Sequence, residues 1–271
     1  LVVVFTGLCP PEQAVRASTT ITLIGTVGRL LATSVNGWLN DLGGYPLAFY
    51  LAAGAAVLGA LVVLPVKEER RPPRRPSWRA LGALIARRDV LLPTLLAVLG
   101  QYVTWATAFG FIAIIADGMG ATAVQQSLLL TANLTALTAG NLSATAATRR
   151  FGARPLVGVS FALLAAGTGL VAAAPALSWL CAAHAIIGLS QGIGYPVLMG
   201  LSIRHVADAE RTTAMGLHQA VYAIGMFAGP AASGVLADAM GIPATFVLTA
   251  AACLILGLAG TGMLRRDARE A

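Results

Sequence analysis

The chain has 271 residues, of which 57% are hydrophobic and only 11% charged, with a mean hydropathy of +0.79. A soluble globular domain carries about 25% charged residues, so this composition places the chain in a bilayer and excludes an ordinary soluble fold. Cys9, Cys181 and Cys253 fall singly inside apolar runs, which excludes a disulfide framework or a metal-ligand spacing and leaves them as packing residues.

Residues 1–9 read as the end of an apolar span, and the chain opens there without Met, so its start reads as a truncation. Runs of about 20 mainly apolar residues, the length that crosses a bilayer, follow. They lie at about 17–40, 45–66, 90–116, 122–147, 155–174, 178–203, 212–236 and 243–264. Barrel strands are shorter, about 10 residues, and alternate apolar with polar; these runs do not. The expected fold is all-α and polytopic: eight full spans plus the end of a ninth.

One connection differs from the rest. Residues 66–90, VKEERRPPRRPSWRALGALIARRDV, begin as a charged, proline-rich linker that cannot continue a helix. They then turn amphipathic, with Ser77 as the expected N-cap and Trp78, Leu81, Leu84 and Ile85 on one face, as in a short helix lying on a lipid surface. The chain divides accordingly into 1–66, a loop at 67–89 and a six-span part at 90–271.

The net charge of +7 raises nucleic acid as a partner, and the placement of the basic residues argues against it. Of 18 Lys and Arg, eight lie between 67 and 88, three between 149 and 154, two between 204 and 211 and three after 264. The connections near 41–45, 117–121, 174–178 and 238–243 have none. This alternation is the positive-inside pattern, which puts the basic loops and the C-terminus in the cytoplasm.

A gapless offset of 197 positions brings Gly28 onto Gly225, Gly37 onto Gly234, Asp41 onto Asp238, Gly44 onto Gly241, Pro46 onto Pro243 and Phe49 onto Phe246. Matched Gly, Asp, Pro and Phe at fixed spacing indicate a duplication. With equal halves, the counterpart of residue 90 lies about 107 residues before Leu1, for a whole chain of roughly 380 residues.

These features together resemble the major facilitator superfamily of secondary transporters, whose halves are parallel repeats. The segment RTTAMGLHQAVYAIGMFAGPAASGVLADAMG, residues 211–241, is similar to the eleventh helix of bacterial efflux-type members. By that resemblance the chain runs from the end of the fourth helix to the twelfth. The family's loop signature Gly-x-x-x-Asp-Arg-x-Gly-Arg is partly present at 145–154, where Arg150 and Gly152 match. Thr145, Arg149 and Ala153 stand at its Gly, Asp and second Arg positions. The family's Gly-Pro motif has a relative in GMFAGPAASG, whereas Arg29 to Asn36 contains no proline.

Small residues let membrane helices approach closely. Gly225 and Gly229 have the required spacing, and Pro230 removes a backbone donor and bends the helix. Either these glycines make static contacts, or Gly28, Gly37, Gly225, Gly229 and Gly234 form sliding contacts between halves. A second stripe comprises Gly188, Gly192, Pro196 and Gly200, flanked by His184, Gln191 and Tyr195. Polar residues also mark the spans from 90 and 122: Gln101, Tyr102 and Trp105 on the first, Asn133 and Asn141 on the second. They are either interhelical hydrogen-bonding groups or solute contacts. The resemblance favours Gln101, Trp105, His184 and Gln191 as cavity residues. His218, Gln219 and Tyr222 form a further polar group, in which His218 has an unperturbed pKa of about 6.5 and is a candidate proton carrier.

All 11 acidic residues fall at span ends or in loops, while Arg29 lies within a span. An intramembrane arginine is a candidate site for an anionic group or a state-dependent ion pair. No GxxxxGK[ST] phosphate loop exists, so ATP is not an expected partner. The expected function is secondary active efflux of a small solute by a monomer in a bacterial inner membrane, with no bound cofactor and H+ or Na+ as coupling ion. A membrane-embedded enzyme using His184 and His218, or a receptor without transport, is the alternative.

Overall fold

The computed structural model describes residues 11–64, 78–207 and 210–264, and all regular secondary structure among them is helical. The expected end of a ninth span, the proline-rich linker with its Ser77 cap and the basic C-terminal residues lie outside these. α1 (Pro11–Val63) is two helices joined at Gly44, where φ of 70° and ψ of −179° break the helical path just before Pro46. These two helices correspond to the predicted runs at 17–40 and 45–66. α2 (Trp78–Ala86) leads into α3 (Arg88–Thr104), a π-helical segment (Trp105–Phe111) and α4 (Ile112–Gly118). α5 (Ala123–Phe151), α6 (Ala153–Ala172), α7 (Leu177–Ile203), α8 (Arg211–Met240) and α9 (Ile242–Met263) complete the order.

The backbone repeats one feature at the same offset. Gly241, at the offset of Gly44, separates α8 from α9 with φ of 83° and ψ of 155°, and Pro243 follows it. Both turns use a positive φ that only glycine reaches without steric cost, followed by proline within the first turn of the next helix.

Among the described residues, six helical stretches are long and apolar enough to cross a membrane: Ile24–Val63, Arg88–Gly118, Ala153–Ala172, Leu177–Ile203, Arg211–Met240 and Ile242–Met263. The predicted span at 122–147 is not among them. Its helix, α5, has the length but is too rich in hydroxyl and amide side chains. Those hydroxyls are returned to the helix itself: Thr131 donates to the Ser127 carbonyl at 2.9 Å, Thr138 to Leu134 and Thr148 to Ala144, each at 2.7 Å. Internal hydrogen bonding lowers the cost of placing such groups in an apolar setting. The helix opens with a capping box, in which the Thr122 amide donates to Gln125 Oε1 (2.9 Å) and the Gln125 amide to Thr122 Oγ1 (3.2 Å).

The chain divides into two compact units, residues 1–74 with 122–131, and 75–121 with 132–271. In the first, Gly37 lies so close to the Ala123 carbonyl that a side chain there would collide, and the Ser34 and Thr131 hydroxyls are 3.1 Å apart. Most of α1 presents its apolar side chains outward; Phe49 and Tyr50 are 73% and 76% exposed, as lipid-facing aromatics are. In the second unit, α6 packs on α7 and α9, and α3 packs on α7 and α8.

α2 buries one residue of its predicted apolar face against protein. Leu84 is buried in a cluster with Val90, Val206 and Ala214, against which Ile203 and Leu217 also pack, while Ile85 remains exposed. Leu84 thus gains its burial against the ends of α3 and α8.

Candidate functional site

Three helices of the second unit, α3, α7 and α8, turn polar side chains toward one another. The Gln191 amide on α7 donates to Gln101 Oε1 on α3 at 3.2 Å. One turn further along α7, the Tyr195 hydroxyl lies 3.5 Å from that of Tyr222 on α8, with the rings edge to face at 5.6 Å, and Gln219 of α8 also lies near it. Tyr222 in turn packs edge to face on His218 at 5.7 Å. His218 is fully buried and its Nδ1 lies 3.0 Å from the Thr94 hydroxyl, which donates to the Val90 carbonyl. Because that hydroxyl's one hydrogen is committed, Nδ1 is the donor and the buried Nε2 is the bare nitrogen, without a hydrogen-bond partner. A small cavity of about 20 Å³, enough for one water, adjoins Gln101, Gln191 and Tyr195.

His184, expected beside Gln191, belongs to a different arrangement. It is buried and its Nε2 donates to the Ala108 carbonyl in the π-helical segment at 3.1 Å, while its own carbonyl accepts from Asn133 Nδ2 at 2.8 Å. Trp105 opens the π segment and stacks on Phe109 at 4.9 Å, half-exposed. The Asn133, Leu137, Asn141 face meets the glycine stripe directly: a side chain at Gly188 would strike the Asn133 carbonyl, and one at Gly192 the Leu137 carbonyl. Asn133 is buried there, whereas Asn141 is exposed and contributes its backbone.

Gly225 and Gly229 meet the Val98 and Tyr102 carbonyls of α3, and Gly110 of the π segment lies under Pro230. Both helices lie within the six-span part, so at these two positions the expected sliding contact between halves is instead a tight contact inside one unit. A methyl group added at Gly28 or Gly234 would meet nothing within 4 Å. Arg29 presents an exposed side chain from α1.

Gly152 adopts a positive φ of 85° and starts α6, and Arg150 lies over the Phe151 ring at 5.2 Å. Ala153 stands where the resembling signature has arginine; the guanidinium comes one residue later. Arg154 donates to the Thr261 and Gly262 carbonyls at 3.2 and 3.1 Å, capping α9. Arg87 ties two connections together, bridging Asp89 at 2.7 Å and donating to the His205 carbonyl at 2.8 Å. The hydrogen bond to Asp89 raises its pKa above the ordinary arginine value.

Sequence reasoning overlooked Thr94 and the π segment. A lone threonine in an apolar run was the available signal for the first; no residue pattern announced the second. The family profile of the Major Facilitator Superfamily matches residues 94–271. No curated protein matches the chain.

Proposed function

The chain belongs to the major facilitator superfamily, a family of membrane transporters, and from that premise we propose secondary active transport of a small solute by alternating access, coupled to H+ or Na+ and directed to efflux. One observation carries this reading. Gln101, Gln191, Tyr195, Gln219 and Tyr222 converge from α3, α7 and α8 beside a histidine with a bare buried nitrogen. Such groups are costly in lipid unless they serve a pathway or one another.

The three amides and two phenols offer both donors and acceptors, which suits a neutral or weakly polar solute. His218 is the proton carrier in this scheme, because Nε2 is free to take up a proton while Nδ1 stays anchored to Thr94. Na+ is the alternative coupling ion. Arg29, exposed on α1, serves an ion pair that changes between states. ATP plays no part, and the unit of transport is a monomer. The distribution of Lys and Arg supports a cytoplasmic C-terminus in a bacterial inner membrane. Efflux rests on the resemblance of residues 211–241 to the eleventh helix of export members.

Counterflow of labelled solutes in proteoliposomes tests the proposal. Exchange that responds to an imposed pH or sodium gradient and is indifferent to ATP is expected. Solute binding without exchange across the bilayer would assign the cluster to a receptor instead.

A further inference from the structure

The small cavity that adjoins Gln101, Gln191 and Tyr195 lies where α3, α6 and α7 meet, and Ser160 of α6 and Ser190 of α7 also line it. Two glycines on its wall leave the space open. A methyl group at Gly100 would meet nothing within 4 Å, and at Gly194 the backbone of α7 gives way to the Ser160 side chain.

The serine hydroxyls at this place have already committed their hydrogens. Ser160 Oγ donates to the Val157 carbonyl at 2.8 Å and Ser190 Oγ to the Ser160 carbonyl at 2.7 Å, and both residues are buried. A hydroxyl whose single hydrogen is committed can only accept from a third group. Gln101 Oε1 accepts from the Gln191 amide, which leaves Gln191 Oε1 uncommitted. Four residues on three helices therefore bring oxygen lone pairs to one cavity.

Lone pairs gathered in a buried place call for a positive guest. Water supplies two hydrogens and answers two of the oxygens, whereas a cation faces all of them. The volume of about 20 Å³ admits one particle of water size or less. Ca2+ and Mg2+ are bound largely through carboxylates, and none of the residues lining this cavity is acidic, so the fitting ion carries a single charge. Na+ is smaller than water and leaves the oxygens room to close on it.

We propose that this cavity is a Na+ site, with Ser160 Oγ, Ser190 Oγ and the side-chain oxygens of Gln101 and Gln191 as its ligands. A part for this ion in coupling rests on the transport reading above; its binding does not.

Thermal unfolding of the detergent-purified chain in NaCl, KCl and choline chloride at equal ionic strength tests the site. NaCl is expected to raise the midpoint in a saturating manner, as a ligand of the folded state does, and the other two salts are not. Gly100→Ala sets a methyl group on the cavity wall without collision and should remove the response to NaCl, while its midpoint in choline chloride stays at or above that of the unaltered chain. Gly234→Ala adds the same methyl at another open position and should keep the response. Ser190→Ala should weaken Na+ about tenfold, the loss of one polar contact. Equal midpoints of the unaltered chain in all three salts would overturn the site and leave the cavity to water, and equal gains in NaCl and KCl would overturn the assignment to Na+. A full response in Gly100→Ala would place the ion elsewhere. The first two outcomes need no variant, and all are read in detergent, where a failure of solute exchange does not enter.

Discussion

His218 Nδ1 lies 3.0 Å from the Thr94 hydroxyl, whose hydrogen points to the Val90 carbonyl 2.7 Å away. The chain of donors runs one way and ends at a backbone oxygen, leaving Nε2 as the only part of the ring that changes protonation. His218→Gln preserves a donor toward Thr94 but cannot titrate. Transport by this variant is expected to lose the pH dependence that a titrating histidine confers. An unaltered pH profile with intact coupling would remove His218 from the proton path.

Thr94→Val deletes the acceptor while keeping the shape, stranding the Nδ1 hydrogen in a buried place. The expected cost is about 1–3 kcal/mol, the penalty for an unsatisfied buried polar group, and Thr94→Ser should recover it. Thermal unfolding in detergent reads both. Equal melting temperatures for the Val and Ser variants would show that the hydroxyl does not hold the ring.

Glycines in this chain divide by what faces them, and alanine substitution should change stability in opposite directions. At Gly188 and Gly225 a methyl group meets backbone carbonyls of α5 and α3 that cannot turn aside, so Gly188→Ala and Gly225→Ala should each destabilise by about 1–3 kcal/mol, as overpacked substitutions do. At Gly234 a methyl group meets nothing within 4 Å, and Gly234→Ala should gain up to about 1 kcal/mol of helix propensity. The thermal midpoints of the three variants decide this; a destabilising Gly234→Ala would reveal a contact at that face.

The offset of 197 positions rests on Gly, Asp, Pro and Phe identities, and Gly44 and Gly241 share a positive φ in the structure, because the backbone at a reversal constrains residue type directly. Polar residues in apolar runs likewise marked Gln101, Gln191, Tyr195, His218 and Tyr222 as interior groups, since lipid penalises them anywhere else. Their pairing was not legible. His184 and Gln191 share a face at seven-residue spacing, yet one reaches the Ala108 carbonyl and the other Gln101, because partners depend on how helices cross. The span predicted over α5 differs for a simpler reason: its many hydroxyl and amide side chains, already visible in the sequence, keep it below the apolarity of the other spans.

Gln101 and Gln191 are proposed to face the solute while Gln191 donates to Gln101 across 3.2 Å. Gln191→Leu should raise the half-saturation concentration for transport about tenfold, the loss of one buried polar contact of roughly 1.4 kcal/mol, with a smaller effect on the melting temperature. Tyr195→Phe should behave in the same way if its hydroxyl binds solute. Unchanged half-saturation in both variants would confine this pair of helices to packing.

Arg154 holds the last carbonyls of α9 with two separate nitrogens. A lysine has one point of charge and cannot occupy both positions in the same planar fork. Arg154→Lys should therefore raise amide hydrogen exchange in the last turn of α9, around residues 259–263, by roughly fivefold, about 1 kcal/mol of lost local protection. Exchange equal to that of the unaltered chain would show that the turn is held by packing alone.

A π turn contains an additional residue compared with an α turn, so everything beyond Phe111 is out of phase with α3 by about 100°. The phase is held in the middle of the segment and at its far end: His184 occupies the Ala108 carbonyl, and Phe111 rests edge to face on Phe246 at 5.3 Å. Were the extra residue to slip into regular α geometry, α4 would turn about its own axis with little change in length. Phe111 would leave Phe246, and the Ala108 carbonyl would return to the helical ladder. The segment is a built-in rotary coupling, in which one histidine hydrogen bond and one aromatic contact set the angle at which the outer end of this helix faces its neighbours.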